Sequence, residues 1–151
     1  MTASLEYFTV TNSLYQGVET NTTNDDDSAA PTVVPISGTV TFTPVDANGN
    51  VITQVVSAEI DSTILLDPIQ GRFSVDTVGG TPDGVLRSIN GTAGVELVDN
   101  QNLGLTALYY WVQYSNVVFD GIGERLIKSF YFAAPGNGST VDLNTVTQLA
   151  L

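Results

Sequence analysis

The 151-residue chain has no cysteine and no histidine, and only four basic residues stand against sixteen acidic ones. Each absence removes a class of chemistry. Without histidine there is no imidazole base near neutral pH, no Ser-His-Asp triad and no imidazole metal ligand. Without cysteine there is no thiolate nucleophile, disulfide, iron–sulfur cluster or thiolate zinc site. Nucleic-acid binding draws on Lys and Arg that release counterions from phosphates, and four scattered cations cannot supply it. No apolar run approaches the ~18 residues of a membrane-spanning helix. Neither GxGxxG nor GxxxxGK[ST] occurs, so no phosphate-cradling loop is indicated. What remains is a carboxylate-only enzyme, a calcium-binding module, or a protein that works by making contacts.

Charge itself is scarce. Charged residues are 13% of the chain and the net charge is −12, whereas about 25% is usual for a soluble domain. Hydrophobic residues reach 42%, with 19 Val, 19 Thr, 14 Gly and 6 Pro. That is the composition of short strands and tight turns, and its low charge argues against disorder over most of the length. One domain is the expectation at this size, burying roughly 70% of its unfolded surface without disulfides or metals. The opening MTASLEYFTV has no basic n-region and no continuous apolar core, so synthesis in the cytoplasm without an export signal is expected.

Residues 4–10 alternate and read as a strand. From Gln16 to Pro35 the apolar period vanishes, Asp25, Asp26 and Asp27 sit among Asn and Thr, and two prolines close the segment. This predicts a long acidic loop or arm. The body starts at Gly38. Thr39–Thr43 puts Val40 and Phe42 on one face and three threonines on the other. Asn48-Gly49 supplies a hairpin turn, with a return strand around Val51–Ser57. Thr63–Leu66, Gly71–Val75, Val95–Val98, Ala107–Tyr114 and Leu126–Ala133 read as further strands, and Val141–Val146 as a short closing one. Strand-like runs between turn signals, with no 3.6-residue period, predict an all-β sandwich. The predicted organisation is one compact body: an N-terminal strand and extended acidic arm over 1–37, then the sandwich over 38–151.

Alternation places Leu108, Tyr110, Val112 and Tyr114 on one face of their strand, and Phe130 and Phe132 on one face of the next. Those are the core faces. Tyr109 and Trp111 then point outward, and Tyr131 joins them if the two strands pair antiparallel. Tyr and Trp dominate interface hot spots, so this set is the leading candidate for a protein contact. A stacking surface for sugars is the second functional option, and cover of this face by the chain's own N-terminal arm stands level with a contact role as the structural alternative. Asp25, Asp26 and Asp27 are the other candidate contact. As a calcium site they fail the EF-hand spacing, lacking its glycine and its final glutamate, and Asp46–Asn50 fails likewise. A solvated acidic loop and a hairpin turn account for both. Glu59 and Asp61 lie two apart on an expected strand or its end, hence on one face, at a spacing that also suits a glycosidase carboxylate pair, but almost any β-protein meets that separation. Lys128 and Ser129 are strand neighbours and face opposite ways, so they form no Ser-Lys dyad. No cofactor, metal or catalytic residue is assigned.

From Gly38 onward an ordered series of phrases stands out: Gly38-Thr-Val-Thr-Phe-Thr-Pro44, Ile64-Leu-Leu-Asp-Pro68 with Gly71-Arg-Phe73, Asp83-Gly-Val-Leu86, Gly94-Val-Glu-Leu97, Leu108-Tyr-Tyr-Trp-Val-Gln-Tyr114, and Ser129-Phe-Tyr-Phe-Ala-Ala-Pro135 followed by Thr140-Val-Asp-Leu143. In this order the chain resembles the β-sandwich domain of actinobacteriophage minor tail proteins, over about two-thirds of its length. The resemblance implies an immunoglobulin-like fold and a virion structural role. The partners expected for such a role are other virion proteins, tail or major capsid subunits, with this chain a homo-oligomer or present in multiple copies on the particle. It carries no catalytic residue. Family members are often longer, and the stretch through Ile36 has no counterpart in the series. A head-decorating position is the alternative to the tail, and a glycan-binding module for host attachment is the third reading.

Overall fold

The computed structural model describes residues 3–12, 15–19, 32–75, 82–119, 122–125, 127–136 and 138–151. Among them there is no helix. Twelve strands follow in order: β1 (Tyr7–Thr11), β2 (Gln16–Glu19), β3 (Thr32–Val45), β4 (Gln54–Ser57), β5 (Ser62–Leu65), β6 (Ile69–Val75), β7 (Pro82–Ser88), β8 (Val95–Val98), β9 (Tyr109–Phe119), β10 (Ile122–Arg125), β11 (Phe130–Ala133) and β12 (Thr140–Asp142). The all-β expectation holds, and the arrangement in facing sheets is consistent with a sandwich.

The larger sheet has seven strands, with β10-β9-β3-β6-β7 as its path, β11 also on β9 and β2 on β3. The second sheet is β12-β1-β8, with β1 antiparallel to β8 and parallel to β12. The β4–β5 hairpin forms a small sheet of its own. Period-2 alternation builds the core between the first two. Val40, Phe42, Phe73, Leu86, Val112 and Phe132 are buried from the larger sheet, and Phe8, Val10, Val95 and Leu97 from the smaller. Phe8 meets Tyr110 edge-on at 5.7 Å and Phe132 at 6.1 Å. Each such side chain contributes about 1.5–3 kcal/mol by leaving water. Gly71 lets the sheets approach, since a Cβ there would come within 2.6 Å of Val95 Cγ2.

Two local readings change. The loop expected over Gln16–Pro35 contains β2 and the first part of β3, paired from Gln16↔Pro35 to Glu19↔Thr32. The expected boundary at residue 38 therefore falls inside one continuous strand. Pairing with a neighbouring strand, rather than apolar alternation, makes this segment extended, so its own pattern gave no signal. The acidic stretch with Asp25, Asp26 and Asp27 lies outside the described residues. The Asn48-Gly49 turn forms as expected, but the return strand touches β3 only at Val45↔Val51, with Ile52 N–H donating to Pro44 O at 2.9 Å. Beyond that the chain turns away and pairs as β4 with β5.

One edge of the larger sheet is closed by a side chain. Asn12, buried just past β1, donates from Nδ2 to Gly84 O at 2.8 Å and accepts the Leu86 N–H on Oδ1 at 2.6 Å. A single amide thus does what a neighbouring strand would do for β7. Gly84 adopts φ +69°, and its Cα lies against the Tyr15 backbone, where a Cβ would overlap Tyr15 O. Tyr15 N–H also donates to Gly84 O, at 3.2 Å.

Candidate interaction surface

The outer face of the larger sheet follows from the registers. Thr43 lies opposite Trp111, Thr41 opposite Gln113, and Val45 opposite Tyr109 across β3–β9. Tyr131 lies opposite Trp111 and Ala133 opposite Tyr109 across β9–β11. That antiparallel pairing brings Tyr109, Trp111 and Tyr131 onto one face. Leu108, Tyr110, Val112, Phe130 and Phe132 are buried on the other side, with Tyr114 half-buried among them.

The three outward aromatics are each half-buried. Trp111 and Tyr131 stack, centroids 5.8 Å apart and planes within 14°, a cross-strand pair of the kind that stabilises sheets by ~0.5–1 kcal/mol. Leu149 pairs with the Tyr131 backbone in both directions, at 2.7 and 3.2 Å. A Cβ on Gly49 would sit 3.5 Å from the Tyr131 hydroxyl and 3.7 Å from Leu151 Cβ. So the Asn48-Gly49 turn and the segment ending at Leu151 rim this face on the Tyr131 side. The sequence pattern had no means of finding that rim.

Further along the same face Gln70 and Thr41 are opposite, then Arg72 and Thr39, with Arg72 opposite Arg87 across β6–β7. Two of the chain's four cations thus share one end of a face whose other end is aromatic.

Other candidates dissolve into structure. Asp46 Oδ1 accepts the Asn48 and Asn50 N–H groups at 2.8 and 3.0 Å. These backbone bonds lower its pKa, as for any turn-capping Asp. Glu59 and Asp61 belong to the exposed β4–β5 turn, Asp61 at φ 59°, so they do not share a strand face. Lys128 and Ser129 are exposed ahead of β11. Among the described residues no group of three or more acidic side chains is placed to hold a metal ion.

Three polar features escaped the sequence reading. Tyr15 and Tyr114 share a hydroxyl–hydroxyl hydrogen bond of 2.7 Å, with Phe73 edge-on to both rings. Burial pushes both phenols up from their ordinary pKa, and the neighbouring Tyr114 adds to the effect on Tyr15. Tyr110, also raised by burial, donates to Val98 O at 2.6 Å. Asp99 is buried, with Oδ1 accepting the Gln101 N–H at 2.8 Å. None has a sequence signature, because each depends on a partner twelve or more residues away or on burial.

With this geometry in place, no protein-family model, no curated protein and no solved structure matches the chain.

Proposed function

We propose that this protein is a non-enzymatic structural component of a tailed-phage particle, an immunoglobulin-like sandwich of the minor tail protein kind that attaches to other virion subunits in multiple copies. The observation that carries the reading is the half-buried row Tyr109, Trp111 and Tyr131, in which Trp111 and Tyr131 stack across strands, on a sheet face it shares with Thr41, Thr43, Val45 and Gln113. Rigid aromatics lose little side-chain entropy on docking and supply most of the apolar area of a contact. The ordered phrases from Gly38 to Leu143 support the phage assignment. The charge of −12 keeps free copies apart before assembly. With so few cations, attachment rests on apolar and backbone contacts and persists in molar salt.

The experiment is cryo-EM of the assembled particle, with the protein located on the tail. Location on the shell of tailless heads would reassign it to head decoration. Absence from particles refutes the structural reading. A glycan-binding module is the third reading, favoured by the amide of Gln113 beside Trp111 on the same strand face; retention on host cell-wall polysaccharide, lost in Trp111→Ala, would select it.

A further inference from the structure

The second surface lies where the two sheets part. A half-open groove of about 970 Å³ runs between the start of β6 and the edge of β8, lined by Pro68, Ile69 and Gln70 on one wall, Ile89 and Ala93 at the end, and Val95 and Glu96 on the other wall. Ile69 and Ile89 are exposed in it, at 42% and 52%.

Both walls are strand edges with backbone groups turned into the gap. In the β1–β8 ladder the Asp99 N–H donates to Glu6 O, which fixes the phase. The residues exchanging bonds with β1 are Asp99, Leu97 and Val95, and those of Glu96 and Val98 face away. Thr9, opposite Glu96, confirms it by turning its N–H to Ser139 O on the β12 side. Val98 O is taken by the Tyr110 hydroxyl, which, among the described residues, leaves the N–H and C=O of Glu96 at the open edge. On β7, Leu86 turns its N–H to Asn12 and its C=O to Gly94, away from β6. The Arg87–Arg72 pair is then the bonded one, and Gln70, two residues earlier, aims its backbone the same way, past the last β6–β7 pair at Gly71↔Ser88.

We propose that this groove is a strand-addition site: an extended segment of a partner protein joins β8 as a fourth strand of the β12-β1-β8 sheet. The chemistry of that segment follows from the walls. Main-chain groups at Glu96 and Gln70 call for a polypeptide in extended form, because such edges are satisfied by another backbone. Side chains pointing inward continue the Val95 row between Ile69 and Ile89 and are apolar. Side chains pointing outward lie beside Glu96, the one ionisable group of the lining, and include Lys or Arg. This inference rests on the reading of the chain as a subunit-binding protein and assigns the type of contact.

The test uses ¹⁵N-labelled protein titrated with the acetylated, amidated peptide Val-Lys-Val-Lys-Val. Saturable shifts confined to amides of Thr9, Gln70 and Val95–Leu97 are expected, with Glu96 moving most. Glu96→Pro is the informative variant. It deletes the outward N–H while leaving every β1–β8 bond in place, so the sheet forms and binding weakens at least tenfold. Glu96→Lys keeps the backbone and exchanges preference to the corresponding Val-Glu peptide. Groove amides unmoved at millimolar peptide, or unchanged binding in Glu96→Pro, overturn the proposal. Concentration-dependent self-association abolished by Glu96→Pro also overturns it, by giving the groove to a second copy. Particle incorporation separates the two readings. If wild type and Glu96→Pro join particles equally, the groove falls and the structural role stands. If wild type never joins, the structural role falls whatever the peptide does.

Discussion

The amide of Asn12 is asked to replace a strand, and that can be measured. In Asn12→Ala the Leu86 N–H loses its acceptor, while Gly84 O keeps the Tyr15 N–H at 3.2 Å. One buried donor is orphaned, at about 1–3 kcal/mol, and the loss of the second bond from Nδ2 adds about 1 kcal/mol. The expected destabilisation is about 2–4 kcal/mol, a large part of the ~5–15 kcal/mol that holds a domain folded. Urea unfolding followed by far-UV circular dichroism should show a lower midpoint with unchanged slope. Asn12→Asp separates hydrogen bonding from packing. Its carboxylate still accepts from Leu86 but sets a second oxygen against Gly84 O, so the folded state favours the protonated acid and its pKa rises. A group with a raised folded pKa adds stability below its unfolded value near 3.9 and loses it as pH climbs. Asn12→Asp should therefore be less stable than Asn12→Ala at pH 8 and recover by about 1.4 kcal/mol per unit while pH falls between its two pKa values. A cost below ~0.5 kcal/mol for Asn12→Ala, the level of an ordinary surface change, refutes the argument. So does a pH-independent penalty for Asn12→Asp.

Gly84→Ala combines a left-handed backbone with a Cβ against the Tyr15 carbonyl. It should cost about 3 kcal/mol or more, read as a urea midpoint shift. Tyr15→Phe and Tyr114→Phe should each cost about 1–2 kcal/mol by leaving the other hydroxyl unpartnered, and the double variant less than their sum. Because burial raises both phenols, wild-type stability should fall as pH rises above the unfolded value near 10, and less steeply in Tyr15→Phe. Absorbance titration at alkaline pH checks that these two tyrosines ionise above the ordinary phenol range in the folded protein. Trp111→Ala should keep the circular dichroism spectrum and unfold within about 1–2 kcal/mol of wild type, yet fail to join particles; normal incorporation would remove Trp111 from the contact.

The core was legible because period-2 alternation survives where one face is buried. Val40 and Phe42 in β3, Tyr110 and Val112 in β9, and Phe130 and Phe132 in β11 all face inward as their spacing requires. Val95–Val98 matches β8 to the residue. The aromatic row was legible for the same reason, being the complement of that inward set. What was not legible came from pairing over distance. β2 and the start of β3 are extended because they pair with each other, and Pro35 masked them as loop. Asn12 reads locally as a turn residue, and only Gly84 and Leu86, more than seventy positions on, give it work. The groove wall at Glu96 needs the phase of a hydrogen-bond ladder, which no spacing encodes.

The parallel β1–β12 pair sets an order of events during synthesis. Thr9, Val10 and Thr11 pair with Thr140, Val141 and Asp142, and the Thr11 hydroxyl reaches Val141 O across 130 residues. At the ~5–20 residues per second of a ribosome, β1 waits on the order of ten seconds for that partner. Through that interval β1 has only β8 as a ladder partner, and only once it has emerged, although Phe8 can already lie against Tyr110 and Phe132. The nascent chain is thus a half-built shell with an open flank, and closure comes as one late, cooperative step. Such high-separation pairing makes folding slow. It also makes the finished domain hard to fray, because opening it from either β1 or β12 breaks the same ladder.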